Sequence, residues 1–458
     1  MTRISIIGGG PGGYEAALVA AQLGGEVTVI VNEGLGGSAV LTDCVPSKTL
    51  IATAEVMTLA AESDRLGVLL GADDVRSDLA RVNRRVLDLA SAQSLDIEAR
   101  LEREGVRILR GKGGLKSPDR IVVELDEGGV EDFEADVALV ATGAQPRLMP
   151  GAMPDGERIL DWTQVYDLGE LPERLIVVGS GVTGAEFASG YNALGSDVTL
   201  VSSRDRVLPG EDADAAAVLE EVFRRRGMTV LGRSRAATVA RTSDGVLVTL
   251  QDGRTVEGTH CLMAVGSVPN TEGLGLEEVG VTLDERGFIV VDKVSRTTAR
   301  GVYAAGDCTG VLMLASVAAM QGRIAMWHSL GDAVSPMNLK AVSANVFTDP
   351  EIATVGWTQN DLDSGAIDAR TVKLPLATNA RAKMQGITDG FVKLFCRRST
   401  GIIIGGVVVA PRASELIFPI SVAVERQLTA DQLAHSFTVY PSLTGSIAEA
   451  ARQLHIRD

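Results

Sequence analysis

The stretch that decides the fold is Arg3-Ile4-Ser5-Ile6-Ile7, followed directly by Gly8-Gly9-Gly10-Pro11-Gly12-Gly13 and an alanine-rich segment through Leu23. The short apolar run predicts a buried strand, and the alanine-rich segment predicts a helix. A strand, a glycine loop and a helix in this order are typical of a unit that binds a dinucleotide. The first residues of the chain therefore predict a Rossmann-like fold of the α/β class.

The glycines of this loop have different physical tasks. Gly8 permits the tight turn, Gly10 lets a pyrophosphate approach the backbone N–H groups, and Gly13 lets the helix pack close to the strand. Gly12 lies in the same loop, at the helix N-terminus, where a phosphate is favoured. We interpret all four glycines as dinucleotide-binding residues.

A second apolar run, Val27 to Val31, predicts the next strand of the same unit, and it ends in Asn32-Glu33. A carboxylate at this point of a dinucleotide-binding fold accepts hydrogen bonds from the adenosine ribose. Glu33 is therefore a candidate for ribose binding, although it lies slightly farther along the chain from Gly8 than is usual.

The same pattern returns in the middle of the chain. Leu175-Ile176-Val177-Val178 precedes Gly179-Ser180-Gly181-Val182-Thr183-Gly184, and a helix and a strand at Val198 to Val201 follow. Gly179, Gly181 and Gly184 repeat the spacing of the first loop, so they are candidates for a second dinucleotide. One chain thus has two dinucleotide-binding folds.

The end of this second strand differs from that of the first. It reads Ser202-Ser203-Arg204-Asp205-Arg206, where an NAD-binding unit usually offers a carboxylate. Serines and arginines suit a 2'-phosphate, so Ser202, Ser203 and Arg204 favour NADPH, with NADH tolerated. The alternative is that the two arginines are only solvated.

Composition excludes several other classes of protein. The 458 residues suffice for about three domains. The formal net charge of −16, with no Lys/Arg cluster, argues against binding to nucleic acid or to an anionic membrane. The first residues lack the apolar core of a signal peptide, and the apolar stretches are too short for a transmembrane helix. We expect a cytoplasmic protein.

Four cysteines, Cys44, Cys261, Cys308 and Cys396, show no spacing typical of a metal site or of a disulfide framework. We therefore expect no metal. Cys261, Cys308 and Cys396 lie in apolar surroundings and are most simply small core residues.

With these motifs in view, the chain resembles the pyridine nucleotide-disulfide oxidoreductase family, closest to its dihydrolipoamide dehydrogenase branch, over nearly its whole length. The family's markers occur in order, and they are Gly36-Gly37, Cys44-Val45-Pro46-Ser47-Lys48, Ala141-Thr142-Gly143, Val265-Gly266-Ser267-Val268-Pro269-Asn270, Gly306-Asp307 and Phe347-Thr348-Asp349-Pro350-Glu351.

The resemblance implies an α/β protein with two Rossmann-like domains, for FAD and NAD(P), and a C-terminal α+β dimerisation domain. It implies four segments: an FAD-binding domain over residues 1–147 and again over 271–337, an NAD(P)-binding domain over 148–270, and a dimerisation domain over 338–458. The protein is accordingly expected to be a homodimer.

The resemblance also implies roles for single residues. Lys48 would lie beside the flavin, on the same side of a helix as Cys44, and Glu186 would pair with this lysine. Asp307 would hydrogen-bond the ribityl chain of FAD. Further cofactor contacts are implied at Thr142, Gly143, Gly266, Leu314 and Ala315.

The residues that serve disulfide chemistry in this family are missing. The family has two cysteines in the arrangement G-G-x-C-x-x-x-x-C, but Ala39 stands at the first of them, and one thiol cannot form the family's internal disulfide. The family's histidine base and its orienting glutamate are Tyr440 and Gly445 here. A tyrosine phenol is a poor general base at neutral pH. His435, in the wrong register, is interpreted as a surface or packing residue.

These losses leave the flavin side intact and predict an NAD(P)H:quinone (diaphorase-type) oxidoreductase that passes hydride to the flavin and then to a quinone. Tyr440 and Cys44 are kept as candidate catalytic residues with Lys48 and Glu186. Three alternatives stay open: a pyridine nucleotide transhydrogenase, an enzyme that uses Cys44 as a single redox thiol, and a non-catalytic flavin-binding scaffold.

Overall fold

A computed structural model of the chain describes residues 1–71 and 75–455. The chain divides into two compact units, each assembled from three stretches. The first unit comprises Met1–Thr49, Asn83–Arg147 and Gly266–Met337. The second comprises Leu50–Val82, Leu148–Val265 and Asn338–Asp458. The domain boundaries predicted from the sequence stay a prediction.

The strands of the described residues are, in chain order, β1 (Arg3–Ile7), β2 (Glu26–Val31), β3 (Arg107–Ser117), β4 (Arg120–Leu125), β5 (Val130–Glu134), β6 (Val137–Val140), β7 (Ala144–Pro146), β8 (Ile159–Asp161), β9 (Arg174–Val178), β10 (Asp197–Val201), β11 (Thr229–Leu231), β12 (Ala236–Arg241), β13 (Val246–Leu250), β14 (Thr255–Gly258), β15 (His260–Met263), β16 (Ser267–Pro269), β17 (Val302–Ala304), β18 (Ser343–Val346), β19 (Glu351–Gly356), β20 (Ala369–Pro375), β21 (Phe391–Arg397) and β22 (Ile403–Ala410).

The α-helices are α1 (Pro11–Gln22), α2 (Gly37–Leu41), α3 (Cys44–Ala61), α4 (Leu79–Arg103), α5 (Val182–Leu194), α6 (Ala213–Arg225), α7 (Ala315–Ser329), α8 (Gln359–Asp363), α9 (Ala380–Met384), α10 (Ala413–Leu416), α11 (Phe418–Glu425), α12 (Ala430–Ala434) and α13 (Gly445–Gln453). Short 3₁₀ turns lie at Ser63–Leu66, Val165–Asp167, Asp307–Thr309, Leu339–Ala341 and Leu376–Thr378.

The first unit is built on a seven-stranded sheet of order β17-β6-β1-β2-β3-β4-β5. Strands β17, β6, β1, β2 and β3 are parallel, and β4 and β5 join them antiparallel. The predicted first strand is β1, which lies between β6 and β2. Its residues Ile6 and Ile7, which point to opposite faces, are both buried because parallel strands have both faces covered.

Helix α1 begins where the glycine loop ends. Gly10 is its N-cap, and Pro11 occupies the first helical position, where its missing N–H is not needed. Helix α1 packs closely on α7, since a Cβ placed at Gly322 would lie 2.1 Å from the Gly12 carbonyl oxygen. This glycine contact fixes α7 against α1.

The second unit contains a five-stranded parallel sheet of order β11-β10-β9-β15-β8, a three-stranded antiparallel sheet of order β12-β13-β14, and a five-stranded antiparallel sheet of order β18-β19-β22-β21-β20. The last sheet packs with helices α10 to α13 around one apolar core, so the predicted α+β character of this region is confirmed. Lys393 of β21 is buried, and its Nζ lies 2.8 Å from Oδ2 of Asp212, the N-cap of α6. This ion pair joins the antiparallel sheet to helix α6.

The predicted burial of three of the four cysteines is also confirmed. Cys261, Cys308 and Cys396 are buried, as expected of core residues. Residues 1–71 and 75–455 include no cluster of three or more His, Cys, Asp or Glu side chains that could hold a metal ion. In the same residues, each helix is too short or too polar to cross a bilayer.

Candidate cofactor and acceptor site

In the first glycine loop, packing excludes a side chain at two of the glycines but not at a third. A Cβ at Gly8 would lie 2.2 Å from the Ala141 carbonyl oxygen, and one at Gly13 would lie 1.9 Å from the Gly8 carbonyl oxygen. A Cβ at Gly10 would meet only the Cα of Gly37, at 4.0 Å. Packing therefore requires Gly8 and Gly13, whereas Gly10 faces space that a pyrophosphate fits.

The second loop repeats this geometry. A Cβ at Gly179 would lie 2.0 Å from the Ala264 carbonyl oxygen, and one at Gly184 would lie 1.9 Å from the Gly179 carbonyl oxygen. A Cβ at Gly181 would meet nothing within 4 Å. Both loops thus present an open backbone at the middle glycine, at the N-terminus of a helix, as dinucleotide binding requires.

A second glycine segment lines the first loop. The Gly36 amide donates to the Gly9 carbonyl oxygen at 2.8 Å. Gly37 has a φ of +55°, and a Cβ there would lie 2.8 Å from the Gly10 Cα, so only glycine fits this approach. Glu33 lies exposed just past the end of β2, where a carboxylate can accept from a ribose hydroxyl.

The Ala-Thr-Gly marker is fixed by its partner segment. Thr142 Oγ1 donates to the Asn270 carbonyl oxygen at 2.6 Å, and Asn270 Nδ2 donates to the Thr142 carbonyl oxygen at 3.0 Å. Gly143 and Gly266 both have positive φ and open space where a Cβ would stand. This arrangement holds two turns beside the sheet edge that carries the first glycine loop.

The loop of Asp307 is held by a residue that the sequence analysis missed. Gln321 of α7 is buried; its Oε1 accepts from the Gly306 amide at 2.8 Å, and its Nε2 donates to Thr309 Oγ1 at 3.3 Å. Gln321 belongs to no motif, so only its position on α7 reveals the role. Leu314 is the N-cap of α7 and Ala315 its first residue, and their contact with the cofactor stays a prediction.

Burial raises the pKa of Asp307 to about 6, and the nearby charge of Asp43 adds to this effect. Hydrogen-bond donors would stabilise the ionised form of this buried carboxyl group, and the ribityl hydroxyls of FAD are donors of this kind. The position of Asp307 therefore fits the cofactor.

Asp43 is a second residue that the sequence analysis missed. Burial raises its pKa, and the positive charge of Lys48 opposes that rise. Its position directly before Cys44, at the start of α3, was the available signal. Cys44, half-buried, and Lys48 both lie on α3, one turn apart, as predicted.

Glu186 is buried on α5 in the second unit. Its Oε1 accepts from the Phe347 amide at 2.8 Å, and on the same helix Ser189 Oγ accepts from the Asp349 amide at 3.2 Å. The carboxylate is thus held by the first residues of the Phe347–Glu351 marker. The pairing of Glu186 with Lys48 stays a prediction.

The residues after β10 depart in part from the prediction. Ser202 is fully buried, and its hydroxyl lies 2.6 Å from that of Ser180 in the second glycine loop. Its place is therefore beneath the loop, not on the surface where a 2'-phosphate would bind, because both hydroxyls are used to join loop and strand. Ser203 and Arg204 are exposed. Arg206 donates from Nη2 to the Pro209 carbonyl oxygen at 3.2 Å.

The residues that replace the family's histidine and glutamate lie in an open part of the second unit. Tyr440 is 86% exposed, and Gly445 is the first residue of α13. A cavity of about 120 Å³ lies between them. His435 is exposed and bonds to the Asp431 carbonyl oxygen at 2.7 Å, which confirms it as a surface residue.

Comparisons with known families agree with this geometry. The family described as pyridine nucleotide-disulphide oxidoreductase matches residues 2–322. The dimerisation domain of the same family matches residues 342–451.

Individual relatives are similar over nearly their whole length. A protein of Mycobacterium tuberculosis named NAD(P)H dehydrogenase (quinone) is 58% identical, covering 100% of this chain and 95% of its own. Dihydrolipoyl dehydrogenase of Geobacillus stearothermophilus is 33% identical, covering 98% and 95%. Among solved structures, LpdA from Mycobacterium tuberculosis superposes with a TM-score of 0.95, covers 100% of both chains and has 58% identity.

Proposed function

This chain belongs to the pyridine nucleotide-disulphide oxidoreductase family, and we propose that it oxidises NAD(P)H with a quinone as the final electron acceptor. The nucleotide gives up a hydride, which carries two electrons and one proton, and becomes NAD(P)⁺. The quinone takes up both electrons, that proton and one further proton from solvent, and leaves as a hydroquinone.

FAD and NAD(P)H are the cofactors of this family, and the two glycine loops fit two dinucleotides. Bound FAD would supply a two-electron acceptor. The middle glycines would receive the pyrophosphates, Asp307 would accept from ribityl hydroxyls, and Lys48 would supply a positive charge beside the isoalloxazine.

The proposal rests mainly on the replacement of the three residues that serve disulfide reduction in this family. Ala39, Tyr440 and Gly445 occupy the positions of the outer cysteine, the histidine base and its glutamate. Without a second thiol no internal disulfide forms to exchange with a disulfide substrate. A quinone needs neither, and the 58% identical relative is named for quinone reduction.

We propose NADPH as the preferred nucleotide, since Ser203 and Arg204 are exposed after β10 and no carboxylate stands there before Asp205. We also propose a homodimer, because the chain carries the family's dimerisation domain. The cytoplasmic location stays a prediction from the sequence.

The test is a steady-state comparison of acceptors. Purified holoenzyme with NADPH should turn over 1,4-naphthoquinone and ferricyanide and leave lipoamide and glutathione disulfide unchanged. Turnover of lipoamide at a rate comparable to naphthoquinone would refute the proposal, since it would require a dithiol that the sequence lacks.

A further inference from the structure

Two arginines lie just past the ends of neighbouring strands in the second unit. Strands β10 and β11 pair in parallel, with Val201 opposite Leu231, and the segments that follow them carry Arg204 and Arg233. Strand β9, which precedes the second glycine loop, pairs with the other side of β10. The carboxyl ends of parallel strands form one edge of the sheet, where this type of fold binds its nucleotide. Both arginines are therefore at the nucleotide-binding edge.

The two segments that carry these arginines are hydrogen-bonded to each other beyond the strands. The Arg233 amide donates to the Arg204 carbonyl oxygen at 2.6 Å. Ser202 adds two bonds, because its amide donates to the Leu231 carbonyl oxygen at 2.8 Å and its carbonyl oxygen accepts from the Ser234 amide at 2.7 Å. The backbone thus holds Arg204 and Arg233 next to each other.

Arg233 has an unusual backbone conformation that its neighbours hold in place. Its φ is +52°, in the left-handed region that residues with a side chain rarely adopt. The next residue, Ser234, is buried, and its Oγ donates to the Gly232 carbonyl oxygen at 3.1 Å and accepts from Arg254 Nη2 at 2.7 Å. Unfavourable backbone conformations that are fixed in this way cluster at ligand sites. The exposed Arg233 side chain thus extends from a rigid turn.

The charges of the two arginines are not balanced by the protein. Within residues 1–71 and 75–455, neither guanidinium group of Arg204 and Arg233 has an ion pair or a side-chain hydrogen bond. By contrast, Arg225 and Arg226 of α6 in the same unit are each paired with a carboxylate. Asp205 is exposed and makes no ion pair with either arginine within the described residues. Two unpaired guanidinium groups side by side therefore favour an anion between them.

We infer that Arg233 is a specificity-determining residue that binds the 2'-phosphate of NADPH together with Arg204, an inference that rests on the proposed preference for this nucleotide. A phosphate monoester carries up to about two negative charges and three strong acceptor oxygens at neutral pH. Guanidinium groups from two segments can donate to different oxygens of this group, since each presents a planar set of N–H donors. NADH offers a neutral 2'-hydroxyl instead and leaves both positive charges unpaired.

The test measures nucleotide binding without turnover. Arg233→Asn removes the guanidinium group and suits the left-handed backbone, whereas Arg233→Lys keeps a positive charge and loses the planar set of donors. Arg300→Asn is the matched control, because it removes an exposed arginine from the first unit. NADP⁺, NAD⁺, adenosine 2',5'-bisphosphate and 5'-AMP are each titrated by calorimetry into the oxidised, FAD-loaded protein, with no electron acceptor present.

For Arg233→Asn we expect the Kd of NADP⁺ and of the bisphosphate to rise about ten-fold, while NAD⁺ and 5'-AMP stay within about two-fold, the loss of one charge-assisted contact. Arg233→Lys should show a smaller rise and Arg300→Asn none.

An unchanged Kd of NADP⁺ in folded Arg233→Asn, or an equal rise for NAD⁺, would overturn the inference. Equal affinity of the wild-type protein for NADP⁺ and NAD⁺ would overturn the preference for NADPH as well. Absence of naphthoquinone turnover in the wild-type protein would instead overturn the proposed quinone reduction, on which these binding constants do not depend.

Discussion

The two glycine loops and the C-terminal segment of residues 438–445 differ in how much of their chemistry the fold fixes. In the loops, Gly8 and Gly179 cannot change without a backbone clash, whereas the space beside Gly10 and Gly181 is open. In the C-terminal segment, Tyr440 is exposed and its neighbourhood is uncharged. The chain retains the family's two dinucleotide-binding loops and lacks the residues that serve disulfide reduction in the family.

Among the substitutions that test this difference, the largest loss of activity is expected at Lys48. Lys48→Met removes the positive charge that we propose lies beside the flavin, and it should lower NADPH oxidation with both naphthoquinone and ferricyanide by 100-fold or more, roughly the 3 kcal/mol of one preorganised electrostatic contact. The measurement is steady-state turnover, with flavin content determined by absorbance.

Lys112→Met is the matched control, because Lys112 is an exposed lysine of the same unit on β3. It should retain wild-type turnover. Should Lys48→Met stay within a few-fold of wild type while binding flavin normally, electron entry would not depend on this residue.

A smaller effect is expected at the nucleotide loop. Arg204→Ala should reduce kcat/KM for NADPH by about 10- to 100-fold and leave NADH within about two-fold, because a charge-assisted contact to the 2'-phosphate contributes roughly 1.5–3 kcal/mol. Arg241→Ala, which removes an exposed arginine paired with Glu157, is the control. Equal losses with both nucleotides would show that Arg204 does not read the phosphate.

The raised pKa of the buried Asp307 carboxyl group predicts that the stability of the flavin-free protein depends on pH. Its pKa of about 6 in the native protein exceeds the usual carboxyl value, so the native state binds the proton more tightly than the unfolded state. The contribution of this group to stability is therefore full below pH about 4 and is lost as pH rises through 6.

Asp307→Asn should accordingly stabilise the flavin-free protein relative to wild type by about 1–2 kcal/mol more at pH 7.5 than at pH 4.5. Urea unfolding at the two pH values measures the difference. A gap that stays constant between them would mean that Asp307 ionises normally.

The smallest effect is expected at Cys44. Cys44→Ser should keep naphthoquinone turnover within about three-fold of wild type, because the proposed reaction makes no bond to sulfur. Collapse of activity in a folded, flavin-loaded variant would favour the single-thiol alternative instead.

The motifs predicted the glycine loops, the position of β1, the helix that carries Cys44 and Lys48, and the helix of Glu186. They did so because these positions are fixed by backbone geometry at short range. Gln321 was not predicted, since it belongs to no motif and its role arises from contacts with the loop that precedes α7. Asp43 was not predicted, since its burial does not follow from its place before Cys44. Ser202 was misplaced because its residue type suits a phosphate, whereas its burial depends on Ser180, 22 residues earlier.

The central claim is tested most directly by anaerobic reduction and reoxidation of the purified holoenzyme. One equivalent of NADPH should bleach the visible absorbance of the bound flavin, and 1,4-naphthoquinone should then restore it within the mixing time, while lipoamide and glutathione disulfide leave it bleached. Restoration by lipoamide as fast as by naphthoquinone, or failure of NADPH to bleach the flavin, would contradict the claim.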